Sequence, residues 1–290
     1  MTTVHERVAA ARQMLGAAGI GALEAASSAR VLAQHVLGWD TTRLLTSGHE
    51  PEPGGFGERY DALVARRAAR EPSAYITGRR EFWGLTLEVS PAVLIPRPET
   101  ELIVEAALEI FAVDPPRRLD IADACTGCGN LAVALAHELG QASIVATDIS
   151  ADALAVAQRN AERHGVSARI RFVHADVLEG VNGPFDLIVA NPPYVKREDR
   201  PALQPEVRDH EPGVALFGGV TGTELVATVV EQGVARLRPG GYLMFEFGFG
   251  QEIVAETLIA ATQGLTLIGL RRDLQGLARM AIARRQGDTP

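Results

Sequence analysis

The pattern of apolar positions changes character twice along these 290 residues. Up to about residue 70, apolar side chains recur every three or four positions. Val8, Ala9, Leu15 and Ile20 are followed by the run from Ala29 to Leu37, closed by Gly38. That period predicts amphipathic helices, and the glycine sits where a helix stop belongs. Pro51, Pro53, Gly54 and Gly55 interrupt the run, and a further helix is predicted from about Arg59 to Arg70, stopped before Pro72. The result is a small N-terminal helical bundle. Between residues 75 and 95 the period drops to two. Phe82-Trp-Gly-Leu-Thr-Leu-Glu-Val89 alternates and is rich in aromatic and β-branched residues, which predicts a strand or hairpin. Pro96 and Pro98 come next, then a helix predicted over 100–111.

From residue 117 onward the two periods alternate. Strands are predicted at 119–124, 143–149, 169–175, 185–190, 242–247, 265–270 and 279–283, with helices at 131–139, 151–164, 224–237 and 251–261. Such alternation predicts an α/β fold, a Rossmann-like, doubly wound and mainly parallel sheet of seven strands. The last two strands follow each other directly, which predicts a closing antiparallel hairpin. The expected division is a helical domain over 1–73, a β-hairpin linker over 74–98 and an α/β domain over 99–290. No internal repeat or low-complexity tract is visible.

Charge and cysteine usage narrow the partners. The formal net charge is −8 and Lys196 is the only lysine. Binding a duplex by its phosphates calls for a basic excess, so direct nucleic-acid binding is not expected. Arg66, Arg67 and Arg70 form a local basic group, expected to be a solvated helix face. Cys125 and Cys128 are the only cysteines, which excludes a disulfide framework and fits a reducing compartment. No apolar run approaches the ~20 residues a bilayer requires. The first residues carry no basic segment followed by an apolar one, so no secretory signal is expected and the cytoplasm is the expected location.

Four segments carry candidate chemistry, each at the end of a predicted strand, where open α/β sheets bind ligands. Asp123-Ala-Cys-Thr-Gly-Cys-Gly129 follows the first strand, and Gly127 and Gly129 allow a ligand close to the backbone. The spacing lacks the third glycine of the dinucleotide fingerprint, so a nucleoside-bearing cofactor and a plain tight turn both fit. Asp148 ends the second strand and can accept both ribose hydroxyls; its rival role is a helix N-cap, although Ser150 or Asp152 can cap equally well. Asp176 ends the third and can accept an adenine amine, with Val177 against the ring; a turn aspartate is the alternative.

The fourth segment is Asn191-Pro-Pro-Tyr194. Pro192 and Pro193 fix φ and have no N–H, giving a stiff turn with free carbonyls. The Asn191 side-chain oxygen and the Pro192 carbonyl can accept the two hydrogens of a planar NH2 group, with Tyr194 packed on its flat face. That suits an amide or amino-purine nitrogen approaching a sulfonium methyl. Cys125 to Cys128 also spell C-x-x-C before a helix, inviting a redox reading, but two cysteines cannot build a four-thiolate zinc site and no metal is expected. A nicotinamide dehydrogenase would want the same loop and an acid near Asp148, yet leaves Asn-Pro-Pro-Tyr unexplained.

Further stretches sharpen this picture: Glu71-Pro-Ser-Ala-Tyr-Ile-Thr-Gly78, Phe82-Trp-Gly84, Val93-Leu-Ile-Pro-Arg-Pro-Glu-Thr-Glu101 and His210-Glu-Pro-Gly-Val-Ala-Leu216. With the 123–129 loop and residues 191–194, the chain resembles the HemK/PrmC family, the peptide-chain-release-factor glutamine methyltransferases, over about residues 29–284. Asn-Pro-Pro-Tyr alone is shared with adenine-N6 methyltransferases; the Ile-Pro-Arg-Pro-Glu-Thr-Glu stretch is far more specific. The resemblance implies a seven-stranded methyltransferase domain with S-adenosylmethionine at Cys125, Thr126, Gly127, Cys128, Gly129, Asp148, Asp176, Val177 and Asn191. It implies that residues 191–194 hold the glutamine of the Gly-Gly-Gln motif of a class I release factor, with Asn191 and Pro192 catalytic, and that the N-terminal bundle grips the protein. A monomer is expected. The chain departs from the family pattern at Cys125, commonly glycine, and at Cys128, usually Thr or Ser, which leaves a ribosomal protein as an alternative substrate.

Overall fold

A computed structural model describes residues 2–111 and 118–287, which divide into two compact units. The first comprises the N-terminal residues up to Arg79 together with Gln204–His210. Its helices are α1 (Val4–Ala17), α2 (Ala22–Leu37), α3 (Thr41–Ser47), α4 (Phe56–Ala68) and α5 (Ser73–Thr77). α1 opens on a capping box: the Thr3 hydroxyl accepts from Glu6 N–H, and the Glu6 carboxylate accepts from Thr3 N–H. α2 ends at Gly38, which adopts φ 65° as the sequence predicts. Leu15, Leu32, Phe56, Tyr60 and Val64 bury together; Phe56 stacks on Tyr60, whose hydroxyl donates to the Ala29 carbonyl at 2.8 Å.

The basic group of α4 is not the solvated face the sequence suggests. Arg67 has a side chain only 1% exposed, donating to Glu206 at 2.9 Å and to Glu24 at 2.7 Å. Arg66 pairs with Glu71, and Arg70 approaches Glu206 at 3.4 Å. Helical periodicity could not reveal this, because Glu206 stands 139 residues further along the chain.

The second unit spans Arg80–Leu203 and the chain from Glu211 onward. Strands β1 (Arg79–Phe82) and β2 (Leu85–Glu88) form the expected hairpin. Trp83 (φ 53°) and Gly84 (φ 70°) make its two-residue turn, both in the left-handed region that matches strand twist. Trp83 tolerates that backbone because its N–H donates to Glu101 and its indole N–H to Glu138.

The main sheet holds β3 (Leu119–Ala124), β4 (Ala142–Asp148), β5 (Ile170–His174), β6 (Phe185–Ala190), β9 (Leu237–Glu246), β10 (Leu265–Arg272) and β11 (Ala278–Arg285). Their order is β10-β11-β9-β6-β3-β4-β5, with β11 antiparallel to both neighbours and the others parallel. β3 and β6 bury nearly every side chain, as central parallel strands covered on both faces must. The covering helices are α6 (Glu101–Phe111), α7 (Asn130–Glu138), α8 (Ala151–Arg163), α11 (Glu224–Arg236) and α12 (Glu252–Ala261). Short pieces that the apolar pattern does not predict fill the stretch after β6: β7 (Val195–Lys196), α9 (Pro205–His210), α10 (Gly213–Leu216) and β8 (Phe217–Gly219), with β7 paired to β8. Strand order reverses about β3, so the loops following β3, β4 and β6 meet at the switch point. No helix of the described residues is long and apolar enough to cross a membrane.

Candidate active site

The loop after β3 is built around a buried carboxylate. Asp123 accepts from the Thr126 hydroxyl at 2.5 Å and from Ala132 N–H at 3.1 Å, both on Oδ2. Its Oδ1 is buried without a protein partner, and burial pushes the carboxyl up to about 7. Gly129 (φ 82°) precedes α7, and a Cβ there would lie 3.0 Å from that of Ala157, so α8 packs close against this turn. Asn160 of α8 is wholly buried; its Nδ2 donates to the carbonyls of Cys128 and Glu88, and its Oδ1 accepts from Glu88 N–H. One side chain thereby ties the loop to β2.

Cys125, at φ 60°, lies in the left-handed region. This explains why glycine suits the position: any side chain costs roughly 1–2 kcal/mol there. Burial raises both thiols, Cys128 to about 12, and the carboxylates of Asp148 and Asp123 act in the same direction. No cluster of metal-ligating side chains occurs among the described residues.

Asp148 is not the cap of α8. Ser150 performs that role, its hydroxyl accepting from Ala153 N–H. The Asp148 carboxylate instead accepts Gly127 N–H on one oxygen and Ser150 N–H on the other, each at 2.9 Å. Burial raises its pKa while these backbone donors oppose the rise. Each oxygen keeps lone-pair capacity for a hydroxyl. Val177 adopts φ 53°, an outlying conformation for a β-branched residue. The Thr147 hydroxyl donates to its carbonyl at 2.5 Å, and Gln232 accepts from the following N–H of Leu178, holding the turn in place.

After β6, Asn191 donates through Nδ2 to the Thr100 hydroxyl oxygen at 3.0 Å. Thr100 in turn donates to Glu246 at 2.6 Å, and the Tyr194 hydroxyl donates to the other oxygen of Glu246 at 2.8 Å. Gln251 Nε2 donates to the Tyr194 carbonyl. Gly218 presses on the turn from outside: a Cβ there would lie 2.3 Å from the Pro193 carbonyl oxygen. The segment from Val93 to Glu101 is clamped as well, with Ile95 N–H at 3.2 Å and Arg97 at 2.5 Å from the buried carboxylate of Glu211.

These loops enclose a cavity of about 560 Å³, within the usual range for small-molecule sites. Cys125, Thr126, Gly127, Cys128, Asp148, Asp176, Val177, Asn191 and Pro193 line it, together with Ala92–Leu94, Arg197, Arg200 and Val214. Of the residues expected from sequence, Gly129, Pro192 and Tyr194 stand outside this lining; Tyr194 turns its hydroxyl to Glu246 instead. Thr100 and Glu211 fall inside stretches that carry the family resemblance, though nothing there names their partners, and nothing in the sequence patterns singles out Asn160 or Gly218 for this site. For Glu246 one signal is available, a lone carboxylate inside the apolar strand Tyr242-Leu-Met-Phe-Glu246.

Comparison with known proteins decides the family. Residues 6–78 match the PrmC N-terminal domain, and residues 104–206 match the methyltransferase small domain. A release factor glutamine methyltransferase of Bradyrhizobium diazoefficiens is 41% identical over 90% of this chain and 89% of its own. One from Burkholderia pseudomallei is 39% identical over 99% of this chain and its own full length. The chain belongs to the release factor glutamine methyltransferase family. It is a methyltransferase in fold as well. The chain is similar in structure to a methyltransferase from Pyrococcus furiosus, with a TM-score of 0.52 at 19% identity, covering 79% of this chain and 98% of the other. In this family's terms, the cavity at the switch point is the candidate methyl-transfer site.

Proposed function

We propose that this chain transfers a methyl group from S-adenosylmethionine to the side-chain amide nitrogen of the glutamine in the Gly-Gly-Gln motif of class I peptide chain release factors. One observation carries the reading: Asn191 shares a cavity wall with Asp148, Asp176 and the 125–128 loop. An amide acceptor and a nucleoside site thus open into the same space. The cavity suits the cofactor by size and by its donor set. Asp148 has free acceptor capacity for two hydroxyls, and the wall is largely apolar beside Val177. Bound there, S-adenosylmethionine supplies an already activated methyl on a sulfonium; no metal is needed.

The protein's task is then placement. An amide nitrogen is a poor nucleophile because its lone pair is delocalised into the carbonyl. Asn191 Oδ1, on the cavity wall, and the carbonyl of Pro192, in the same turn but outside that lining, accept the two N–H bonds, leaving the lone pair facing the cofactor and stabilising positive charge as it grows on nitrogen. The methyl's bond to sulfur would break to leave S-adenosylhomocysteine, and the nitrogen would lose one proton to water. Positioning of this kind is worth up to ~7–11 kcal/mol. The N-terminal unit, which includes residues 204–210, grips the protein substrate, and the enzyme works as a monomer in the cytoplasm.

The test is transfer of labelled methyl to a purified class I release factor and to its Gly-Gly-Gln variant with alanine for glutamine. Label on the first alone is expected, and Asn191→Ala is expected to lower turnover by about 10²–10³. Label on neither sends the search to ribosomal proteins and then DNA. Near-normal turnover of Asn191→Ala refutes the acceptor role.

A further inference from the structure

Thr100 and Glu246 do not line the cavity, yet both are buried, at 0% and 2% exposure, and bonded in series to Asn191. In this series each hydrogen has one place to go. A carboxylate is acceptor-only, and Glu246 accepts at both oxygens, from Tyr194 and from Thr100. Thr100 has a single hydroxyl hydrogen, committed to Glu246. Its oxygen can then only accept, and it takes a hydrogen from Asn191 Nδ2. Asn191 therefore turns its nitrogen to Thr100 and its oxygen to the other edge of the amide group. An asparagine amide is nearly symmetric in shape, so without such a partner either end can face the cavity.

We propose that Glu246, acting through Thr100, is a positioning residue that fixes the flip of the Asn191 amide so that its oxygen is the end offered to the substrate nitrogen. The proposal rests on the reading of Asn191 as the residue that accepts the substrate N–H. Burial leaves the pKa of Glu246 raised above the ordinary carboxylate range; the Thr100 and Tyr194 hydroxyls and the charge of Arg279 oppose that rise, and Glu99 adds to it. Reversing the amide would place Asn191 Oδ1 against a Thr100 oxygen with no hydrogen to give. It would also turn an N–H toward a substrate nitrogen that has its own hydrogens to donate.

The experiment uses the full chain with Thr100→Val, Thr100→Ser, Glu246→Gln, and Thr100→Val combined with Glu246→Gln. Turnover of release factor is expected to fall roughly 10–100-fold in Thr100→Val and Glu246→Gln, somewhat less than for loss of the acceptor itself. KM for S-adenosylmethionine is expected to move less than about threefold, since the change affects the methyl acceptor. The combined variant is expected to be no slower than the worse single one, because both act through one amide. Thr100→Ser keeps the hydroxyl and is expected to restore most of what valine loses. Losses that multiply in the combined variant, or a serine as poor as valine, overturn the proposal.

A second readout needs no turnover. The side-chain NH2 resonances of Asn191, identified by their absence in Asn191→Ala, are expected to exchange slowly with solvent in the unsubstituted protein and in Thr100→Ser. They are expected to exchange fast in Thr100→Val and Glu246→Gln. Unchanged exchange across the series overturns the relay whatever the substrate. A normal exchange pattern in a protein that methylates no release factor sinks the proposed function and leaves the relay standing.

Discussion

Replacing Asp123 by asparagine tests the strangest feature of the loop after β3, a carboxyl with one oxygen satisfied twice and the other buried without a protein partner. Burial lifts this group from an ordinary 3.8 to about 7. At 1.36 kcal/mol for each tenfold change in proton affinity, ionising it in the folded protein costs on the order of 4 kcal/mol more than in water. The sign follows from linkage. Between those two pKa values the folded state holds a proton that the unfolded state has lost, so this group's contribution is fully present below about pH 4 and is lost as pH rises through about 7. Between about pH 5 and pH 8 the loss amounts to roughly 2.5 kcal/mol. The amide of Asp123→Asn would keep an oxygen for the Thr126 hydroxyl and Ala132 N–H but carries no titration. Thermal unfolding of both proteins at several pH values is the assay. A domain of this size moves by about 2–4 °C per kcal/mol, so Asp123→Asn is expected to gain about 5–10 °C relative to the unsubstituted protein from pH 5 to pH 8. A difference that stays flat with pH would falsify the assignment of a buried, proton-binding carboxyl here. Asp148 and Glu246 are also raised, but both occur in both proteins and their effect largely cancels in the difference.

Gly218→Ala places a methyl 2.3 Å from the Pro193 carbonyl and 2.7 Å from that of Gly222, both backbone atoms that cannot swing aside. The turn at 191–194 must shift, and methyl transfer is expected to drop at least about 10-fold while circular dichroism stays native, since misplacement near 1 Å is that costly; full activity would show the turn to be compliant. Arg67→Met leaves Glu206 buried beside Arg70 alone and is expected to cost about 3 kcal/mol in urea unfolding. Adding Glu206→Leu is expected to recover most of that loss, and failure to recover means the pair holds more than each other. Cys128, 1% exposed and with its thiol raised by burial, is expected to react with a thiol reagent far more slowly in the native protein than after denaturation, whereas Cys125, half-buried on the cavity wall, is expected to be slowed less. Fast native labelling of Cys128 would reopen the redox reading.

How much of this site can be read from sequence depends on whether each residue's partner is near it in the chain. The limits of β3 and β6 follow from their apolar runs, and the loops after β3 and β6 are legible because Gly127, Gly129, Pro192 and Pro193 each impose a local backbone constraint. Ser150 and Asp148 are separable only in three dimensions, since either can cap α8 by spacing alone. Arg67 escapes the same reading because helical period assigns a residue to a face but cannot say that a carboxylate from α9 will cover it.

The turn at 191–194 shows the same limit at its sharpest. Asn191 through Tyr194 announce themselves, but what sets the direction of the Asn191 amide comes from Thr100, 91 residues earlier, and from Glu246, 52 residues after Tyr194. Neither has a local reason to be what it is. Thr100, just before α6, belongs to the Ile-Pro-Arg-Pro-Glu-Thr-Glu stretch but has no neighbour in sequence that uses its hydroxyl, and glutamate at the end of β9 contradicts the strand's burial. An unpaired charge in a buried strand costs several kcal/mol, so a fold that keeps one must pair it. That contradiction is itself informative: the buried position that violates the hydrophobic pattern of β9 is the one bonded to Tyr194 directly and to Asn191 through Thr100. A single charge at the carboxyl end of an otherwise apolar strand therefore marks a support for the loops at that end of the sheet, even where its partners lie too far along the chain to be named.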